Sequence, residues 1–263
     1  MKLIFVRHGE PDYTTDSLTE NGKKEALALS KRIKNWDVDK FYVSPLGRAK
    51  ETASYSLKEL NAEATELPFM REFSYPIDDP VTGRHGVPWD FVPSDWTSDP
   101  CNFELEDGFS KFECVAKRGD ISEKYKEAIE GFDKMLEEHG FKRCGKYYKR
   151  CDGRKRFVSS TVSEDDKVRN NSPYGENEKE ETVVIFCHLG VTCIILSHLL
   201  NIPFECLTHG FFMPTSSITI LSTEERWDDE AYFRVQALGD CTHLKDAGLP
   251  ISPAGYFASP FQG

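Results

Sequence analysis

The stretch that decides the fold lies at the N-terminus and reads Leu3-Ile4-Phe5-Val6-Arg7-His8-Gly9-Glu10. Its first four residues form a continuous apolar run, which is typical of a strand buried on both faces of a sheet. Polar side chains begin where this run ends. Because ligands bind at the carboxyl ends of the strands in open α/β sheets, we expect Arg7 and His8 to lie at a binding edge.

The pattern of strand followed by helix then repeats along the chain. Thr19 is expected to cap a helix, and residues 41–43 form a second strand that leads into a helix beginning near Arg48. Residues 182–187 are the strongest strand signal and place His188 at the same edge. This alternation predicts an α/β fold with a mostly parallel sheet flanked by helices on both faces.

The middle of the chain breaks this alternation, and we interpret residues 78–180 as a cap inserted within a single domain of residues 1–263. Residues 146–160 resemble two strands around an Asp152-Gly153 turn, which predicts a β-hairpin. Residues 142–156 contain eight Lys and Arg, whereas residues 161–181 contain seven Asp and Glu. Two interpretations stay open, a basic ribbon that reaches an anionic substrate and a solvated hairpin followed by a polar loop.

Length, composition and charge argue against a disordered, nucleic-acid-binding or membrane protein. A chain of 263 residues with 39% hydrophobic residues can bury a large core. Its formal net charge of −11 repels nucleic acid and anionic membranes, so an anionic ligand needs a local basic pocket. Since neither a signal-peptide core nor an apolar run of about 20 residues is present, we expect a cytoplasmic protein with no membrane partner.

Cysteine usage predicts neither disulfides nor a metal site. The eight cysteines come without an export signal, so we expect free thiols. Their spacing matches no common zinc motif. No metal and no cofactor are predicted, and the pattern predicts no particular oligomeric state.

Four side chains that suit phosphate chemistry are expected at the common edge. Arg7 and Arg48 offer planar guanidinium groups that pair with phosphate oxygens, and the helix start near Arg48 adds free backbone N–H groups. Neutral His8 can attack phosphorus if its other ring nitrogen is held as N–H by an acceptor, while His188 stabilises charge beside it. Glu72 is the candidate acid for the leaving group. Burial raises the pKa of such a carboxyl and arginines lower it, so the direction is open at this point.

Several motifs occur in one order along the chain: Arg7-His8-Gly9-Glu10, then Leu18-Thr19-x-x-Gly22, then Ser44-Pro45-Leu46-Gly47-Arg48-Ala49-x-x-Thr52-Ala53, then the strand-borne His188, then residues 214–217 and 239–244. Together they resemble the histidine phosphatase superfamily in its phosphoglycerate-mutase-like branch, branch 1. The resemblance covers about residues 1–75 and 181–245.

The resemblance implies a phosphoglycerate-mutase-like fold and metal-independent hydrolysis of a small phosphorylated metabolite. It implies that His8 is the phosphorylated nucleophile, that Arg7, Arg48 and His188 clamp the phosphate, and that Glu72 is the proton donor. Leu189 stands where glycine is commoner in this branch, and its backbone N–H is a candidate phosphate donor. The acid-phosphatase and phytase branch has aspartate at that position, so Leu189 argues against that branch.

Two alternative functions are kept beside hydrolysis. A phosphoglycerate mutase uses the same clamp but returns the phosphoryl group to substrate. Mutases of this family typically continue the Arg-His-Gly-Glu motif with a Ser and a Trp-Asn pair, whereas Pro11-Asp12-Tyr13-Thr14 follows here, which favours hydrolysis. The other alternative is a catalytically silent protein that binds a phosphorylated ligand, and the presence of every proposed catalytic group disfavours it.

Overall fold

The computed structural model describes residues 1–87, 90–153, 179–225 and 229–262. The strands within these residues are β1 (Lys2–Arg7), β2 (Pro11–Asp12), β3 (Ser17–Leu18), β4 (Lys40–Val43), β5 (Ala64–Glu66), β6 (Ile77–Asp78), β7 (His85–Gly86), β8 (Phe141–Cys144), β9 (Tyr147–Arg150), β10 (Thr182–Cys187), β11 (Ile218–Glu225) and β12 (Glu230–Asp240). The α-helices are α1 (Glu20–Ile33), α2 (Gly47–Leu60), α3 (Pro93–Trp96), α4 (Glu113–Arg118), α5 (Ile121–Glu138), α6 (Leu189–Leu200), α7 (Phe204–Gly210) and α8 (Thr242–Asp246).

Eight of the strands form one central sheet in the order β5-β4-β10-β1-β11-β12-β9-β8. The strands β5, β4, β10 and β1 run parallel, and the other four extend the sheet as antiparallel neighbours. Arg7 lies opposite Cys187, and Val43 lies opposite Phe186, so β1, β10 and β4 end level with one another. The predicted α/β fold class is confirmed, and the parallel strands are the ones that end at the predicted edge.

Both faces of β1 are buried, which explains its continuous apolar run. Leu3 and Phe5 belong to one apolar cluster, while Ile4 and Val6 belong to a second cluster on the opposite face. The helices α5 and α6 cover the first face, and α1 and α2 cover the second. The rings of Phe5 and Phe132 stack with centroids 6.0 Å apart and join β1 to α5.

The helices beside the site begin close to where the sequence predicts them. Thr19 caps α1, and its hydroxyl accepts the backbone N–H of Gly22 at 3.0 Å. Helix α2 begins at Gly47, and α6 begins directly after His188. None of the helices in the described parts of the chain is long and apolar enough to cross a bilayer.

The first strand of the hairpin predicted at residues 146–160 is observed as β9. Strand β9 pairs with the preceding β8 through a turn at Gly145, and its other edge pairs with β12. Gly145 has a φ of +62°, which permits the tight turn, while Phe141 and Tyr148 are buried by this arrangement. Both edges of β9 are thus occupied. The proposed partner strand, residues 154–160, lies outside the described residues.

The predicted cap, residues 78–180, stays a prediction. Within it, α5 packs on the sheet, and β8 and β9 extend the sheet. The short elements between residues 78 and 119 bury Phe91 and Phe109 in the same apolar cluster as β1.

Candidate active site

His8 follows β1 and is held from both sides by backbone hydrogen bonds. Its N–H donates to the carbonyl of Cys187 at 3.0 Å, and its own carbonyl accepts the N–H of Ser216 at 2.9 Å. The imidazole is almost fully buried, with 1% of its surface exposed. Its Nδ1 lies 2.7 Å from the carbonyl oxygen of Gly9. Because a carbonyl only accepts, the ring hydrogen is assigned to Nδ1, which leaves a lone pair on Nε2.

His188 follows β10, and its ring centroid lies 5.0 Å from that of His8. Ser44 Oγ lies 2.7 Å from His188 Nε2 and accepts the N–H of Leu46 at 3.3 Å. When the Ser44 hydroxyl donates to Nε2, the ring hydrogen of His188 is on Nδ1. That Nδ1 is buried and has no hydrogen-bond partner among the described residues.

Both imidazoles are neutral near pH 7. Burial, the Arg7 charge and the Arg48 charge hold the pKa of His8 well below its ordinary value. Burial also lowers the pKa of His188 well below the ordinary value, with His8 and the two arginines adding to the effect. A neutral imidazole keeps the free lone pair that nucleophilic attack requires.

The two arginines come from different elements, Arg7 from the end of β1 and Arg48 from the first turn of α2. Arg7 donates to the carbonyls of Met213 at 2.6 Å and Ala254 at 3.3 Å, while its buried Nε has no partner in the parts of the chain that are described. Arg48 donates from Nε to His8 Nε2 at 3.3 Å. These contacts place a guanidinium directly at the unprotonated nitrogen of His8.

Asp16 orients Arg48. One carboxylate oxygen accepts from Arg48 Nη1 at 2.5 Å, and the other accepts the N–H of Gly47 at 2.7 Å. The Asp16 backbone has a φ of +51°, a conformation that aspartate tolerates better than most residues. The carboxylate thus holds both the first turn of α2 and the side chain that α2 presents to the site.

Glu72 lies after a 3₁₀ turn at Pro68–Met70 that follows β5. Its Oε1 accepts the N–H of Phe73 at 2.9 Å and that of Val191 at 3.3 Å. A Cβ on Gly190 would lie 2.8 Å from Oε1, so the carboxyl and the first turn of α6 fit only with glycine there. Burial raises the pKa of Glu72 against the lowering effect of Arg7 and Arg48. The net shift of the Glu72 pKa, which the sequence leaves open, is therefore upward.

Leu189 is the first residue of α6 and follows His188 directly. Its side chain is half-buried and packs against the larger apolar cluster. The role of its N–H in phosphate binding stays a prediction.

The electrostatics of the site favour an anion. Donor atoms of His8, Glu72 and His188 all lie within 4.8 Å of one another, a spacing that also suits a metal ion. However, Arg48 donates to the same His8 nitrogen that a metal would need, and Arg7 adds a second positive charge. The structure thus brings four of the predicted groups, His8, Arg48, Glu72 and His188, into contact or near contact around a positive centre.

Comparison with known proteins identifies the family. The model described as "Histidine phosphatase superfamily (branch 1)" matches residues 3–119, a segment that contains Arg7, His8, Arg48 and Glu72. This segment of the chain matches the superfamily, and the rest of the chain lies outside the matched residues. The match confirms the family predicted from the sequence motifs and supports a phosphatase enzyme. A search of curated protein sequences found no match.

Solved structures of phosphatases share the fold of this chain. A phosphoserine phosphatase from Entamoeba histolytica, a histidine-to-alanine mutant in complex with phosphoserine, is 19% identical, with a TM-score of 0.53 over 92% of this chain and 98% of that one. A mycobacterial glucosyl-3-phosphoglycerate phosphatase with inorganic phosphate is 16% identical, with a TM-score of 0.54 over 92% and 98% of the two chains. The α-ribazole phosphatase from Shigella flexneri is 16% identical, with a TM-score of 0.50 over 92% and 97%.

Two residues of the candidate site could not be predicted from the sequence. Ser44 begins the Ser44-Pro45-Leu46-Gly47-Arg48 motif, but only the structure shows its contact with His188 Nε2. Asp16 lies in a polar turn, and no pattern links it to Arg48. Its one sequence signal is that aspartate favours turns, which is too common to predict an ion pair.

Proposed function

We propose that this protein is a phosphomonoesterase that hydrolyses a small phosphorylated metabolite through a phosphohistidine at His8. The observation that carries the proposal is the state of the His8 ring, whose Nδ1 faces the Gly9 carbonyl while its Nε2 faces Arg48. Two buried donors support the proposal, Arg7 Nε and His188 Nδ1, which have no other partner among the described residues. Such donors favour a bound phosphoryl oxygen.

The first chemical step transfers the phosphoryl group to His8. The Nε2 lone pair attacks phosphorus, a P–N bond forms, and the P–O bond to the leaving group breaks. Arg7, Arg48 and His188 stabilise the charge on the equatorial oxygens. Glu72 gives its proton to the leaving oxygen, and the raised pKa of its carboxyl keeps that proton available.

The second step regenerates the enzyme. Glu72, now a carboxylate, takes a proton from a water molecule whose oxygen attacks the phosphohistidine. The P–N bond breaks, its electron pair returns to His8 Nε2, and inorganic phosphate leaves. The three neighbouring phosphatases are named for small phosphate monoesters, which supports that substrate class for this chain.

The test is phosphatase activity of the His8→Ala variant on 4-nitrophenyl phosphate, with a rapid acid-labile phosphoenzyme assay in parallel. We expect activity to fall by about a thousandfold or more and the phosphoenzyme to disappear. His85→Ala is the matched control, because His85 is an exposed histidine that contacts Asp78.

Two outcomes would contradict the proposal. Undiminished turnover by His8→Ala would exclude His8 as the nucleophile. Conversion of 3-phosphoglycerate to its 2-isomer without phosphate release would identify a mutase instead.

A further inference from the structure

A cavity of about 380 Å³ is lined by residues that flank Glu72. Its wall includes Arg71 and Phe73, the two chain neighbours of Glu72. It also includes Val191, whose N–H donates to the Glu72 carboxyl, and Pro45, which follows Ser44. The cavity is therefore built from residues adjacent to the proposed proton donor.

The proposed reaction requires the leaving group to lie on this side of the site. A general acid must contact the leaving oxygen within hydrogen-bond distance. The rest of the leaving group then extends past the Glu72 carboxyl. A volume of about 380 Å³ lies within the range of small-ligand pockets.

The cavity wall contains two cations, Lys124 and Arg71, and only Lys124 is paired with an acidic residue of the wall. Lys124 and Glu127 pair with each other at 2.7 Å. Arg71 is exposed, and among the described residues its guanidinium has no hydrogen bond or ion pair with another side chain. Its charge adds to the electrostatic lowering of the His188 pKa, so the guanidinium acts on the catalytic centre as well as on the cavity.

Aromatic rings and smaller apolar side chains form the remaining wall. Phe69, Phe73 and Tyr75 line the cavity, and the rings of Phe73 and Tyr75 pack edge to face at 4.9 Å. Rings of this kind accept a carbon skeleton without selecting a polar group. Discrimination between leaving groups therefore depends on the charged side chain of Arg71. The overall charge of −11 otherwise repels anions.

We propose that this cavity binds the leaving group and that Arg71 selects substrates whose leaving group carries a second anionic group, a carboxylate or a phosphate. The proposal rests on the proposed phosphatase function. A guanidinium makes paired, charge-assisted hydrogen bonds to either anion, and a neutral substituent offers no such partner.

The test compares two isosteric substrates, 4-carboxyphenyl phosphate and 4-carbamoylphenyl phosphate, in the wild-type enzyme and in Arg71→Gln. The quantity measured is the ratio of kcat/KM for the charged substrate to that for the neutral one. Intrinsic differences between the two leaving groups cancel when this ratio is compared across variants. We expect the ratio to fall about tenfold or more in Arg71→Gln, mainly through KM.

Two further variants sharpen the comparison. Arg71→Lys keeps the charge but loses the planar fork, so its ratio should lie between those of the wild type and Arg71→Gln. Lys117→Gln removes an exposed cation that pairs with Glu113 outside the cavity, and its ratio should match the wild type. The bis-phosphate of hydroquinone, tested alongside, shows whether phosphate or carboxylate gives the larger Arg71 dependence.

An unchanged ratio in Arg71→Gln would overturn the proposal. If kcat/KM fell equally for both substrates, the ratio would not change, and Arg71 would instead have a positioning role toward Glu72 or His188. Failure of the proposed function has a different signature. In that case the wild type would not hydrolyse either substrate, or His8→Ala would hydrolyse both.

Discussion

The environments of His8 and Glu72 move their pKa values in opposite directions. Burial lowers the pKa of His8, so the imidazole loses its proton well below the ordinary value of 6.5. Burial raises the pKa of Glu72, so the carboxyl keeps its proton above the ordinary value of 4.5. Attack needs neutral His8 and protonated Glu72. Activity therefore rises with pH through the His8 pKa and falls as pH rises through the Glu72 pKa.

The pH profile of Glu72→Gln checks this assignment. We expect kcat to fall by about 10²- to 10⁴-fold, since the leaving group then departs without a proton. We also expect the alkaline limb of the wild-type profile to disappear, because the amide does not titrate. Substrate ionisation is the same in both profiles and cancels in the comparison. An alkaline limb that persists unchanged in Glu72→Gln would assign that limb to another group.

Asp16→Asn tests whether the ion pair orients Arg48 for substrate binding. The amide can still accept the Gly47 N–H, but the charge that holds Arg48 is lost. We expect KM for an aryl phosphate to rise about tenfold, with a smaller change in kcat. Asp37→Asn is the control, because Asp37 is exposed and pairs with Lys179 away from the site. A KM equal to that of the wild type would show that Arg48 needs no such partner.

At the scale of the element, α1 places a buried carboxyl behind the loop that carries His8. Glu25 is fully buried and accepts the N–H of Glu10 at 2.8 Å and the hydroxyl of Thr215 at 3.3 Å. Burial raises the pKa of Glu25 from 4.5 to about 7. Between these values the folded protein holds a proton that the unfolded chain has released. Rising pH therefore lowers the stability of the fold through this group, and the loss is complete above pH 7.

Glu25→Gln removes this dependence on pH. An amide keeps an oxygen for the Glu10 N–H and carries no charge at any pH. The free energy of unfolding of the variant relative to the wild type should increase by about 3 kcal/mol between pH 4 and pH 8. Urea denaturation at both pH values measures it. Glu20→Gln, an exposed residue of the same helix, should show no such increase. A constant difference across pH would refute the raised pKa.

The same helix approaches the His8 loop very closely. A Cβ on Gly22 would lie 2.2 Å from the carbonyl oxygen of Glu10, and a Cβ on Gly9 would lie 2.7 Å from the carbonyl oxygen of Gly22. Backbone therefore packs against backbone at this junction, without side chains between. This contact explains why glycine stands at both positions of the motifs that begin the fold.

At the scale of the whole molecule, a strongly acidic protein concentrates positive charge at one sheet edge. The net charge is −11, yet Arg7 and Arg48 converge there with two neutral imidazoles, and Arg71 lies at the adjoining cavity. Positive charge at a low-dielectric edge attracts phosphate and disfavours a divalent cation.

Activity in the presence of excess chelator tests this balance of charge. We expect phosphatase activity on 4-nitrophenyl phosphate to be unchanged by EDTA, because the two guanidiniums supply the charge that a metal would otherwise provide. A metal-dependent phosphatase assayed under the same conditions is the control and should lose its activity. Loss of activity here, followed by recovery with a divalent metal, would place an ion between His8, Glu72 and His188.

Features that depend on neighbours along the chain were predictable from the sequence. The apolar runs of β1, β4 and β10 define buried strands, and parallel strands of one sheet end at one edge. The meeting of His8 and His188 follows from those two facts. Thr19 as the cap of α1 is equally local, since the cap and the N–H that it binds are three residues apart.

Only the tertiary structure decided the features that depend on contacts distant in the chain. Ser44 and His188 are 144 residues apart, and Asp16 and Arg48 are 32 apart, so no local periodicity links either pair. The direction of the Glu72 pKa depends on how completely the carboxyl is buried among elements from both halves of the chain. The pairing of β9 with β8 and β12 buries Phe141 and Tyr148, so it too depends on contacts that a turn motif does not specify.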